Sequence, residues 1–328
     1  MDCFYNKDNA RCSIDALITN RICKDKYHLM RLVKGPGQDK NAISNAYIKK
    51  DDDVGTWRIV RHGNNKGAVE EIVFTITGAI NMLDLPPITR ETRNQKEKAR
   101  FLSQTIRLTG LGSKGFEDAV NAIKVVQQMG EQEFKEGELE DWKPSVVQGY
   151  TIVELSNRYF RPHTASNEEE SVPFSTDVDP EGILGRLMQH KLMHMDNNIV
   201  SYFKGEIDNR GKKRYTMAKP QIFRVGDIVE AQCSMVFLRS NNSAVRLKPV
   251  LRAIVLVNCD HSMKSTYIER FIKKQQASNN RKNATDQLGP TSVRMKRKIG
   301  FANDTDEDEY EGAKRTNEGR NDEDRMSS

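Results

Sequence analysis

Three side chains in the second half of this chain have the types and spacing of a metal site. His194 and Asp196 belong to the triplet "HMD", and His261 follows far downstream. A histidine, a carboxylate two residues on and a distal histidine can form the facial triad of a non-haem iron oxygenase, with open positions for its substrates. Arg270 then stands nine residues beyond His261, where it could pair with an acid cosubstrate. The competing expectation makes Asp196 and Asn197 turn residues ahead of a strand. His190 and His194 are four apart, but the glutamate that a zinc-protease helix needs is missing. No G-x-S-x-G elbow and no Walker loop occurs, so catalysis is the minority reading, and no cofactor or metal is expected.

A second pattern offers binding. Residues 210 to 220, "RGKKRYTMAKP", set four cations within five positions ahead of a tyrosine. If residues 198–207 and 212–219 pair as a hairpin, alternation puts Lys204, Lys212 and Arg214 on one wet side, with Lys213 and Tyr215 opposite, near Tyr202 and Phe203. Cations track a phosphodiester backbone, and exposed rings stack on bases at about 1–3 kcal/mol each. The expected contact set is Lys204, Arg210, Lys212, Lys213, Arg214, Tyr215 and Lys219, with single-stranded nucleic acid as the partner. The local charge agrees: between Asn197 and Arg270 there are thirteen Lys or Arg against six Asp or Glu. A cationic hairpin also protects a sheet edge, and the same domain can be read as a protein-interaction module with a protein partner.

The elements that carry these residues are legible in part. Closely spaced strands are expected at 149–156, 198–207, 212–219, 227–239 and 244–258, with a short helix at 179–192. Turn residues at Gly226-Asp227 and 240–243 punctuate them, and together they predict an antiparallel β-barrel or sandwich over 146–270. In "DIVEAQCSMVF" the alternation sends Val229, Ala231, Cys233 and Met235 to a buried face, which makes Cys233 a packing residue, and Ile228, Glu230, Gln232 and Ser234 to a wet one. Residues 25–140 read as an α+β region: a small antiparallel sheet from "HLMRLV", "TWRIVRH" and "EEIVFTITGAI", then a helical hairpin at 88–109 and 115–129. The joint "GLGSKG" (110–115) matches G-x-G-x-x-G, but a dinucleotide site needs a parallel strand before it, and here a helix is expected. Residues 1–24 are expected to be irregular.

The hydrophobic share is 37% over 328 residues, low for a chain packed throughout. Residues 273–328 are expected to form a disordered tail, basic and then acidic. Between Lys273 and Lys298 there are eight cations against one acid, and from Asn303 onward ten acids against four cations. Arg294, Lys296, Arg297 and Lys298 form a compact cluster that a nuclear import receptor can read. Five cysteines, with Cys3, Cys12 and Cys23 unpaired by any short C-x-x-C spacing near His28, predict reduced thiols without zinc. No apolar run approaches a membrane span, and the first residues lack a signal-peptide centre. The expected setting is the nucleus or cytoplasm, neither secreted nor in a membrane.

The block "KPQIFRVGDIVEAQCSMVFLRSNNSAVRLKPVLRAIVLVN" (219–258), with "HMDNNIVSYF" before it, resembles a group of basidiomycete fungal proteins of unknown function over about residues 149–260. The resemblance implies a fungal, intracellular setting and carries no activity or site residue. The combined expectation is an α+β protein that binds without catalysis, with the iron oxygenase as the alternative.

Overall fold

The computed structural model describes residues 1–22, 25, 27–34, 45–51, 55–63, 67–90, 98–163, 171–188, 192–207, 213–240 and 244–286. The strands are β1 (Ala46–Asp51), β2 (Thr56–His62), β3 (Val69–Glu71), β4 (Val73–Asp84), β5 (Ser103–Thr109), β6 (Leu139–Glu140), β7 (Ser145–Val147), β8 (Tyr150–Arg158), β9 (Arg161–Pro162), β10 (Leu192–Met193), β11 (Ser201–Ile207), β12 (Lys213–Met217), β13 (Ile228–Arg239) and β14 (Val245–Asn258). The helices are α1 (Lys7–Ile22), α2 (Arg31–Lys34), α3 (Lys114–Glu133), α4 (Ile183–Leu187) and α5 (Asp260–Asp286). This is an α+β fold, mostly sheet.

The two longest alternating stretches of the sequence, β13 and β14, pair antiparallel along their length. β4 lies on the other side of β13, β5 on β4 and β8 on β5, all antiparallel. Numbered by sequence, β4, β5, β8 and β13 take the spatial order 4-1-2-3, which is a Greek key. β14 extends it to five strands. No ladder joins β8 to β14, but Asn157 Nδ2 on β8 donates to the Leu251 carbonyl on β14 at 3.1 Å. The five strands therefore curl into a barrel that stays open, in place of the closed barrel or sandwich expected. β11 runs parallel beside β14 and carries β12 antiparallel on its outer edge, while β1, β2 and β3 attach at the Val236–Leu238 end of β13. Strands from both halves, β1–β5 and β6–β8 with β11–β14, thus share one sheet, while β9 and β10 pair apart as a second, two-stranded one.

One face of the five strands is a continuous core of Phe74, Ile76, Ile106, Leu108, Val153, Leu155, Cys233 and Leu251, covered by α3. The apolar residues that predicted that helix, Phe116, Ala119, Ile123 and Val126, are all buried. Cys233 sits within this core, where burial pushes its thiol up to about 12 and leaves it inert. Phe116 rests on bare backbone: a Cβ on Gly110 would stand 2.3 Å from the Phe116 Cβ.

Three elements differ from the sequence reading. Residues 103–109 are a strand, because Ile106 and Leu108 alternate with Thr105, Arg107 and Thr109 between two partners, β4 and β8. That alternation outweighed the helical spacing of Leu102 and Ile106. The motif "GLGSKG" consequently follows a strand, but β5 is antiparallel to both neighbours. The first turn of α3 is already taken, since Ser113 Oγ accepts from Phe116 N at 3.2 Å and donates to Asp15 Oδ1 at 2.5 Å. The N-terminal segment is helical rather than irregular, with Ala10, Ile14 and Ile18 buried at helical spacing. In "HLMRLV", only His28 bridges to Thr75, and Arg31–Lys34 form one helical turn.

α5 continues as a helix to Asp286, through the first part of what composition predicts as disordered tail. The remaining tail residues, 287–328, lie outside the described residues. Two units are distinguished, Met1–Phe271 and Ile272–Ser328. Among the described residues no helix is long and apolar enough to cross a membrane. Replacing Gly110 by alanine is expected to lower stability by about 3 kcal/mol, because Phe116 cannot move without opening the core. A urea unfolding midpoint measures it.

Candidate nucleic-acid interface

The cationic hairpin forms as expected, with Glu206 opposite Arg214, Lys204 opposite Thr216, and Gly205 opposite Tyr215. Its charges are more balanced than the sequence count implies. Lys204 Nζ donates to Glu206 at 2.9 Å, and Lys219 Nζ lies 3.1 Å from Asp177. Tyr215 is held from behind: Arg21 on α1 donates to its hydroxyl at 2.5 Å while gripping the buried Glu230 with two N–H groups. The hydrogen bond to Glu230 raises the Arg21 pKa. Tyr202 is a core residue, its ring 5.9 Å from Phe223 and its hydroxyl on Gln104, so it offers no stacking face. Arg210 and Lys212 lie outside the described residues, and of Lys213 only the backbone is described.

The iron triad is not assembled. His194 is buried, with Nδ1 donating to the Tyr159 carbonyl at 2.7 Å and its ring stacked on Phe174 at 4.0 Å. Burial lowers its pKa. Asp196 is exposed in a short 3-10 turn, where Asn198, not Asp196, accepts from the Met195 N–H. His261 belongs to the first turn of α5 and shares a 2.9 Å hydrogen bond with Ser13 on α1, and Arg270 is exposed further along α5. Among the described residues no three His, Cys, Asp or Glu side chains group as a metal site. The histidines serve packing, which the three-residue pattern "HMD" could not reveal.

A different cluster has the chemistry sought on the hairpin. Phe101 closes a 3-10 turn just before β5 and is 52% exposed. The Arg100 guanidinium lies 4.5 Å from its ring centroid and that of Arg158, the last residue of β8, lies 5.5 Å away. Lys248 and Arg246 on β14 belong to the same crowd. The Arg158 pKa is lowered by desolvation and by Arg100. That of Lys248 is lowered by desolvation and by Arg158, against a partial offset from Glu154. Among the described residues Arg100, Arg158 and Lys248 form no ion pair, whereas Glu154 is engaged by Arg107 at 2.8 Å. Like charges gathered in a half-desolvated place are the chemistry that an anion would favour.

A small second core holds this cluster from behind. Ala99, Tyr159, Phe160, Ile183, Leu184 and Leu187 pack together, with Leu102 against them. Tyr159 N donates to the Leu102 carbonyl at 3.0 Å, tying the turn of Phe101 to the end of β8. Sequence reading missed the cluster because it spans three connections. One signal was present: in "RLKPVLR" the alternation of Arg246, Lys248 and Arg252 lines one strand face with cations. Of these, Arg252 is neutralised by Glu71, with two contacts at 3.1 Å.

No protein-family model and no curated protein matches the chain. Among solved structures it is similar to gp2.5, a single-stranded DNA binding protein encoded by bacteriophage T7. The identity is 13%, the match covers 57% of this chain and 91% of that one, and the TM-score is 0.31. A likeness at that score carries no weight for fold or function.

Because Lys248 loses solvation for only a partial offset from Glu154, Lys248→Met is expected to stabilise the free protein at neutral pH by about 1 kcal/mol. The folded-state pKa of Lys248 is the lower one, so the folded protein bears the cost of its charge below that pKa. The cost fades as pH rises toward the unfolded lysine value of 10.5. The gain from Met should shrink over the same range, as thermal melts at pH 7 and pH 10 would show.

Proposed function

We propose that this chain is a non-catalytic single-stranded nucleic-acid-binding protein whose contact site is Phe101 with Arg100, Arg158, Arg246 and Lys248. The observation that carries the reading is the exposed ring flanked by two guanidinium groups that form no ion pair among the described residues. An unpaired base can stack on such a ring and on the guanidinium planes, while the cations take the phosphates. Bases stacked inside a duplex have no free face to offer, which favours single strands.

Topology supports the same reading. A partly open five-stranded Greek-key barrel is the architecture of the OB-fold, whose ligands lie on strands 2 and 3 and on the loops after strands 1 and 4. Here strands 2 and 3 are β5 and β8, and those loops precede Ser103 and Val245. Phe101 ends the first loop, Arg158 ends β8, and Arg246 follows the second loop. The cluster therefore sits where such a barrel presents its ligand. This is an argument by fold analogy and supplements the chemistry of the cluster. The hairpin residues Arg214 and Tyr215 enter as a secondary contact.

The test is fluorescence anisotropy with a labelled single strand and a duplex at two salt concentrations. Phe101→Ala is expected to weaken single-strand binding about 5- to 100-fold, the loss of one stacked base. Arg158→Glu should weaken it and flatten the salt dependence. Equal affinity for duplex, or unchanged affinity in both variants, would overturn the assignment. The proposal includes a nuclear setting, with Arg294, Lys296, Arg297 and Lys298 as the import signal. Nuclear accumulation of a fluorescent fusion should be lost in the Arg297→Ala/Lys298→Ala variant.

A further inference from the structure

α5 begins with one face occupied and one bare. Ser262 and Ser265 are buried, donating to Asp227 and, at 2.5 Å, to Asp2. On the outer side Met263, Tyr267 and Phe271 are 54%, 71% and 51% exposed. Their i, i+4, i+8 spacing makes one continuous apolar stripe, broadened by Ile268 at 42%. Soluble monomers rarely leave such a stripe in water. The serines that seat the inner side fix the rotation of the helix, so the stripe cannot turn inward.

We propose that the stripe is covered by the same stripe of a second copy, with the two helices antiparallel. The sequence of the helix is self-complementary about Tyr267. Met263 and Phe271 lie four residues to either side, so a two-fold axis at Tyr267 sets Met263 of one copy toward Phe271 of the other. Asp260 and Lys274 lie seven residues to either side and are both exposed, so the same axis brings acid to base at each end. A parallel arrangement would oppose acid to acid and base to base. Lys264 and Arg270 stand about 60° to either side of Tyr267 around the helix, which keeps them on opposite flanks of the antiparallel pair. Opposed helix dipoles add to the preference. A contact built on three side chains per copy falls below the roughly 800 Å² per partner of a standard interface, which implies association in the micromolar range.

Sedimentation velocity of the full chain, free of nucleic acid, over about 1 to 200 µM tests the proposal. The expected result is a concentration-dependent shift from monomer to dimer. Tyr267→Asp should weaken it at least tenfold with an unchanged circular dichroism spectrum, and Lys274→Asp should weaken it less. Combining Lys274→Asp with Asp260→Lys should restore it, because the end charges are exchanged together. A chain that stays monomeric throughout, a dimer indifferent to Tyr267→Asp, or no rescue in the double exchange would each overturn the antiparallel pairing. None of these outcomes depends on whether the chain binds nucleic acid.

Discussion

The contact of Phe116 with the bare backbone of Gly110 and Gly78 is the constraint on which the other features depend. No side chain at either glycine holds the ring away, so α3 can lie directly on the curled sheet and close the apolar face of five strands. At its other end the helix makes the same kind of approach, with Gly130 against Phe237. A helix seated at both ends by glycine gaps fixes which face of β5, β8 and β14 is inside. The outward face of those strands then inherits whatever the alternation leaves, which on β8 and β14 is Arg158, Arg246, Lys248 and Arg252.

The charges on this protein divide by how they are compensated. The half-buried Arg21 and the buried Glu230 form a pair whose desolvation is offset by two hydrogen bonds, and removing Arg21 would cost a buried carboxylate both of them. Arg252 and Arg58 share Glu71 in the same way. On the hairpin Lys204 and Lys219 have carboxylates at hand, and exposed pairs of that kind add little to stability. Arg100, Arg158 and Lys248 differ from all of these, because they crowd together and form no ion pair among the described residues, and burial with a neighbouring cation lowers the pKa of Arg158 and of Lys248. Holding cations together in this way costs the free protein. That contrast in compensation, rather than the total charge, sets this cluster apart from the hairpin.

What could be read from the sequence follows from how local each signal is. β13, β14 and α3 were legible because their periodicity is long, and Val229, Ala231, Cys233 and Met235 are buried as expected; the opposite face of β13 is not wet, since Ile228, Glu230 and Ser234 are buried too, Glu230 by Arg21 of α1. The hairpin pairing of β11 with β12 was legible for the same reason. The presence of Glu206 on the face of Lys204 was there to be read as well, two residues along the strand. β5 was not legible, since Leu102 and Ile106 also satisfy a helical period, and only the flanking strands β4 and β8 decide between the two. α1 was hidden because its apolar stripe of Ala10, Ile14 and Ile18 is narrow and set among charges. The Phe101 cluster was least accessible, because Arg100, Arg158 and Lys248 come from segments that meet only when the barrel curls.

The placement of Phe101 is itself an argument. Its turn buries Ala99 on one side and packs Leu102 on the other, both against the core of Tyr159, Phe160, Ile183, Leu184 and Leu187. An apolar refuge therefore lies within two residues of Phe101 in either direction, yet the ring is turned out. A half-exposed ring forgoes part of the roughly 1.5–3 kcal/mol that full burial would bring, and here it does so beside two guanidinium groups that form no ion pair among the described residues. Each feature alone is unremarkable at a protein surface. Together, held by the backbone link from Tyr159 to Leu102, they present an aromatic face and two guanidinium planes side by side to solvent.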